Sequence, residues 1–247
     1  MHRVTLAHGF TQTARSWDAF TPLLAAQLAD IDPITVDLPG HGDAAPPANS
    51  DLWESADRLV EAGGIGTYIG YSMGGRVSLH GALAHPEAVQ RLILIGATAG
   101  IDDDDERADR RAADDRLANH IEDVGVPTFI DEWLRNPLFS GLTVDAALRA
   151  DRLRNTAAGL ASSLRATGTG TQTPLWARLA EVTCPVLVLV GEDDAKFTEL
   201  GHRLVDAIPD AELSVVSGAG HSVHLEQPEP TANAIANWIT SGGRPLM

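Results

Sequence analysis

The stretch "TYIGYSMGGRVSL", Thr67 to Leu79, decides the fold. A run of β-formers ends on Gly70-Tyr71-Ser72-Met73-Gly74-Gly75, and a helical pattern begins at once. Gly-x-Ser-x-Gly between a strand and a helix marks a nucleophile elbow. The turn is strained, so small neighbours are needed to let the backbone close. The serine hydroxyl is lifted above the strand end, beside a helix N-terminus. Backbone N–H donors and positive potential there suit a developing oxyanion. The plainer alternative is an ordinary glycine-rich turn, so the rest of the chain has to decide.

Outward from this turn the chain alternates strand and helix. Strands are expected at 4–7, 34–37, 67–71 and 91–95, with helices at 16–29, 51–62 and 73–84 between them. The alternation resumes with strands at 186–190 and 213–216 and helices at 197–208 and 230–239. Short Gly/Pro joints and continuous apolar runs such as "RLILIGA" and "PVLVLVG" imply a mostly parallel sheet covered on both faces. Between Gly100 and Arg178 only helical patterning is found. The expected organisation is therefore a core of residues 1–99 and 179–247 with a helical lid inserted at 100–178. Asp102 to Glu106 reads as a solvated helix start, its carboxylates favoured by the dipole. The tail Gly242-Gly243-Arg244-Pro245 reads as frayed.

A neutral serine is a weak nucleophile and a weak base. It needs a histidine, and the histidine needs a carboxylate. On this kind of sheet the chain order is Ser, Asp, His. "LVLVGEDDAKF" places Asp193 and Asp194 just past one strand, and "VVSGAGHSVHLEQP" places His221 just past the next. Strand C-terminal ends are where open α/β sheets gather their chemistry. Ser72, Asp194 and His221 are thus the candidate triad. Spacing alone leaves Asp193 open beside Asp194. His224 reads as structural, and His8 and His41 as braces of the pocket floor. The backbone N–H groups of Phe10, in "HGF", and of Met73, next to the serine, are the candidate oxyanion donors.

The formal charge is −16 over 247 residues, from 34 Asp and Glu against 18 Lys and Arg. That argues against nucleic acid and anionic membrane surfaces as partners. No apolar run is long enough to span a membrane. The start, Met1 to Leu6, enters a strand without the features of a signal peptide. The one cysteine, Cys184, reads as a buried inert thiol. A cytoplasmic protein is expected, with no cofactor and no metal. Oligomeric state leaves no trace in the sequence.

Through "LAHGF", "VDLPGHG", "GYSMGG", "GEDD" and "GAGH" the chain resembles the α/β-hydrolase superfamily over nearly its whole length. The resemblance implies that superfamily's sheet, shortened at the N-terminus below the usual eight strands. A narrower resemblance runs through "GYSMGGR", "DERADRR", "EWLRNPLF", "LRNTAAGLASSLRATGTGTQTPLW" and "GEDDAKF". These are similar to the menaquinone-pathway family of 2-succinyl-6-hydroxy-2,4-cyclohexadiene-1-carboxylate synthases. That family removes a ring proton from 2-succinyl-5-enolpyruvyl-6-hydroxy-3-cyclohexene-1-carboxylate and expels pyruvate without adding water. The resemblance implies Ser72, Asp194 and His221 as the triad, with the serine as general base. It implies Arg76, Arg110 and Arg154 as carboxylate binders and Tyr71 and Trp133 as pocket residues. Arg107 and Arg111 flank the second arginine, and Arg152 lies beside the third.

Physical chemistry supports the same expectation. A substrate with three carboxylates needs cations with directional donors. Arg76 lies one helical turn past the elbow and can lean back toward its mouth. The lid arginines could instead form i, i+4 pairs with Asp109, Asp114 and Asp115. A small polycarboxylate bound in a basic pocket within an acidic shell is the expected partner. The alternatives are a serine hydrolase using the same triad, whether esterase, thioesterase or carbon–carbon bond hydrolase, and a binding protein that kept the fold.

Overall fold

The computed structural model describes residues 2–45 and 51–242. Of the tail read as frayed, residues 243–245 lie outside this range. Six strands, β1 (His2–Ala7), β2 (Ile31–Val36), β3 (Gly66–Tyr71), β4 (Val89–Ile95), β5 (Val186–Gly191) and β6 (Ala211–Val216), pair in the order β2-β1-β3-β4-β5-β6. Every pairing is parallel. All C-terminal strand ends therefore open on one edge of the sheet. The inner strands β3 and β5 are buried at every residue, whereas the edge strands β2 and β6 are only partly covered. That difference is why the inner strands read as unbroken apolar runs.

The helices are α1 (Phe20–Gln27), α2 (Leu52–Gly63), α3 (Met73–Ala84), α4 (Asp104–Trp133), α5 (Arg149–Arg152), α6 (Ala157–Thr167), α7 (Ala195–Ala207), α8 (Val223–Glu226) and α9 (Pro228–Thr240). Helices α2, α3 and α7 cover one face of the sheet, packing Leu59, Val77 and Leu204 onto Leu92 and Val188. Helices α1 and α9 cover the other, with Leu24 and Ile235, and Trp17 from the turn before α1, against Leu6 and Ile93. At about 25 cal/mol per Å² of apolar surface, these two interfaces dominate the stability of the core.

The single helix expected at 16–29 is two pieces, a 3₁₀ turn at Ala14–Trp17 and α1. Pro22 is the reason. It fits the first turn of a helix, and further inside it would remove a backbone hydrogen bond. Trp17 and Phe20, 0% and 1% exposed, bury both sides of the break.

Between β4 and β5 no strand occurs among the described residues. Asp103 caps α4 by accepting from the Glu106 N–H (2.9 Å), and the acidic run is exposed as a helix start. Helix α4 breaks at Gly125 (φ 77°, ψ 163°), two residues before Pro127. Its two halves and α6 share a small core of their own, built on Ile121, Phe129, Ile130, Leu160 and Leu164. Phe10 and Trp133 pack at its border, so this core adjoins the strand ends.

Candidate active site

Ser72 sits between β3 and α3 at φ 50°, ψ −106°, a conformation rare for a residue with a side chain. Its N–H donates to Ile95 O (2.8 Å), which holds the elbow to β4. A Cβ on Gly74 would lie 2.1 Å from the Ala7 carbonyl oxygen, so only glycine lets α3 start this close to β1.

Asp194, at the end of the β5 loop, accepts from His221 Nδ1–H at 2.9 Å. Asp193 is exposed and Asp194 is 9% exposed, so burial separates the two neighbours. A carboxylate can only accept, so Nδ1 carries the proton and Nε2 is the basic nitrogen. Asp194 also caps α7, accepting from Phe197 N–H (3.2 Å), which fixes its rotamer. His221 is 3% exposed, with the Phe197 ring 4.3 Å from its own. Gly96 (φ 54°) leaves it room, since a Cβ there would lie 2.9 Å from His221 Cε1. Glu226 accepts from the N–H groups of Gly220 (2.7 Å) and Ser222 (2.9 Å), on either side of His221.

Ser72 and His221 line one pocket of about 200 Å³. Among the described residues no hydrogen bond within 3.5 Å joins the two side chains. Such contacts are often long without substrate and tighten in the reacting complex. Phe10 and Met73 line the same pocket, and neither backbone N–H donates to an acceptor among the described residues.

Three guanidinium groups open on this pocket. Arg76, 7% exposed, donates through Nη1 to Thr167 O (2.8 Å) and Gln172 Oε1 (3.1 Å). Burial, with Arg110 adding to it, pushes its pKa down to about 10. Arg110 lines the mouth and donates through Nε to Asp114 Oδ1 (2.7 Å), so pocket residue and i, i+4 ion pair are the same side chain. The third is Arg152, 1% exposed. It donates to Ala147 O (2.8 Å) and to Thr11 Oγ1, while its Nη2 has no partner among the described residues. Burial lowers its pKa to about 10 as well.

Residues 6–234 match the model of the alpha/beta hydrolase family. A 2-succinyl-6-hydroxy-2,4-cyclohexadiene-1-carboxylate synthase from Enterobacter sp. (strain 638) is 33% identical over 236 residues, 93% of this chain and 88% of that one. A Bacillus subtilis (strain 168) protein provisionally given the same name is 35% identical, covering 96% of this chain and 90% of its own. The chain belongs to this synthase family, within the α/β hydrolases.

The structure of MenH from S. aureus superposes with a TM-score of 0.89 at 28% identity, covering 98% of this chain and 95% of that one. A thermophilic esterase from Thermogutta terrifontis, 24% identical with a TM-score of 0.80 and coverage of 99% and 91%, shares the fold alone.

In this member of the synthase family the expected arginine Arg154 does not reach the pocket. It lies on the surface, 3.5 Å from Asp43, and borders a separate cavity of about 630 Å³ with Arg15 and Asp145. Arg152 takes the pocket position. The two are two residues apart, about 200° around a helical turn, so only one can point inward. Tyr71 and Trp133 both line the pocket. The Tyr71 hydroxyl and Ser222 Oγ are 2.7 Å apart, tying β3 to the histidine loop, and burial pushes the phenol pKa up.

His8 Nδ1–H donates to Gly9 O (2.9 Å), and its Nε2 accepts from Leu38 N–H (3.0 Å). His41 Nε2 accepts from Thr11 N–H (3.3 Å). Both rings brace the loops under Phe10. His224 lies between Trp17 and Tyr71, 4.4 and 4.6 Å from their rings, and burial lowers its pKa to about 3. Cys184 is buried, its thiol pushed up to about 11. Sequence reasoning passed over Arg152 and Lys196 as pocket residues.

Proposed function

We propose that this chain eliminates pyruvate from 2-succinyl-5-enolpyruvyl-6-hydroxy-3-cyclohexene-1-carboxylate to give 2-succinyl-6-hydroxy-2,4-cyclohexadiene-1-carboxylate. Ser72, made basic by His221, takes the ring proton. Asp194 holds the imidazole in the right tautomer and stabilises the imidazolium that forms. The Phe10 and Met73 N–H groups receive the charge that builds on the succinyl carbonyl oxygen. Each such donor is commonly worth about 3 kcal/mol of barrier. The carbon–oxygen bond to the enolpyruvyl group then breaks, pyruvate leaves as its enolate, and the ring gains a second double bond. The proton gathered on His221 balances the one the enolate takes up as pyruvate.

Arg76, Arg110 and Arg152 bind the three carboxylates, with Tyr71 and Trp133 shaping the pocket. Residues 100–178 act as a lid over it. We place the reaction in the cytoplasm, and no helix among the described residues is long and apolar enough to cross a membrane.

The observation that supports this most is the convergence of three guanidinium groups on one pocket with Ser72, in a chain of charge −16. A site for neutral esters has no need of them. The test is pyruvate release from the enolpyruvyl substrate, with p-nitrophenyl acetate in parallel. Fast pyruvate release with slow ester cleavage is expected. Fast ester cleavage with no pyruvate would make the chain a hydrolase.

A further inference from the structure

Among 18 basic residues the chain has 17 arginines and one lysine, Lys196. That lysine lines the same pocket as Ser72 and His221. It is the second residue of α7, two positions past the cap Asp194. A cation there faces the positive end of the helix dipole, so local stability does not account for it. Among the described residues no carboxylate lies within 4.0 Å of its ammonium group. The nearest ring is Phe197, 5.8 Å away, which packs in turn on His221. The other three cations come from α3, α4 and α5, and each already donates to a protein oxygen. Among the described residues Lys196 donates to no acceptor, so all three of its donors remain.

Charge counting gives this group a task. The substrate carries three carboxylates, matched by three arginines. Proton abstraction adds a fourth negative charge, and breaking the carbon–oxygen bond moves it onto the departing enolate oxygen. Arg76 and Arg152 are buried, whereas Lys196 is exposed at the mouth. A fragment that leaves through that mouth passes Lys196. We propose that Lys196 is a further catalytic residue, whose ammonium group holds the enolpyruvyl moiety and stabilises the pyruvate enolate as it departs. This rests on the lyase reading above.

The test compares Lys196→Met and Lys196→Arg with the parent enzyme. Removing one donor to a developing oxyanion typically slows turnover by about 10²–10³. At this exposed position about 10- to 100-fold is expected, chiefly in kcat, with Lys196→Arg recovering most of it. Pyruvate as product inhibitor should bind Lys196→Met about tenfold more weakly. Wild-type kcat and unchanged pyruvate inhibition in Lys196→Met would overturn the assignment. If the parent enzyme releases no pyruvate, the lyase reading fails by itself. Direct titration with pyruvate then still decides on Lys196: equal binding by parent and variant, or none by the parent, overturns it.

Discussion

Replacing Arg152 by Met separates a binding guanidinium from a structural one. The side chain is 1% exposed, has no carboxylate partner among the described residues and keeps Nη2 unpaired. Burial moves its pKa from 12.5 to about 10, which corresponds to about 3 kcal/mol of unfavourable desolvation. Methionine has similar length and no charge. It gives up the bonds to Ala147 O and Thr11 Oγ1, each worth about 1.5–3 kcal/mol when the donor is charged. The loss of about 3–6 kcal/mol exceeds the gain by about 0–3 kcal/mol in the free protein, so the melting temperature should fall by no more than about 10 °C. Binding has no such compensation. Leaving a substrate carboxylate unpaired in a buried site costs about 2–5 kcal/mol, or about 30- to several-thousand-fold in kcat/KM. The assay is coupled pyruvate release across substrate concentration, with thermal unfolding alongside. Loss in kcat/KM expressed mainly as a raised KM is expected. A drop of more than about 10 °C with KM unchanged would refute the reasoning and make Arg152 a structural strut.

Two further outcomes follow from other parts of the structure. Gly96→Ala puts a methyl group against His221 at a left-handed φ, and should lower kcat about tenfold or more with KM little changed. Steady-state kinetics that match the parent would show that His221 has room to move. His224 is held neutral, with its folded pKa about 3 against 6.5 unfolded. Below pH 6.5 the unfolded chain therefore takes up a proton that the folded one refuses, and stability falls with pH. Between pH 7.5 and 4.5 this contributes about 2–3 kcal/mol. His224→Leu should narrow the stability difference between those two pH values by that amount in urea titrations, whatever it does to absolute stability. An unchanged difference would mean that His224 is protonated in the fold.

The parts of this molecule legible in its sequence are those set by local chemistry. The inner strands announce themselves because both faces are buried, and the elbow because its glycines answer to a backbone that tolerates no Cβ at Gly74. His221 and the pair Asp193-Asp194 follow from chain order along a parallel sheet, and burial in the fold separates Asp194 from its neighbour. Pro22 carries a signal of the break before α1, which the reading of a single helix at 16–29 leaves out. The identity of the third arginine was not legible. Helix α5 is a single turn entered through Leu148 in a left-handed conformation (φ 51°), and that turn decides whether Arg152 or Arg154 faces inward. Nothing in the local pattern fixes such a rotation. Lys196 did carry a signal, its being the only lysine, but a count has no direction until the fold puts the residue at a pocket.

The account stands on a hydroxyl at the elbow acting as the base in pyruvate elimination. The most direct measurement is single-turnover pyruvate release by Ser72→Ala against the parent enzyme, at saturating substrate. A fall of about 10³-fold or more in the rate, with substrate affinity within about threefold of the parent, is predicted. Release at the parental rate from a variant that lacks the hydroxyl would contradict it.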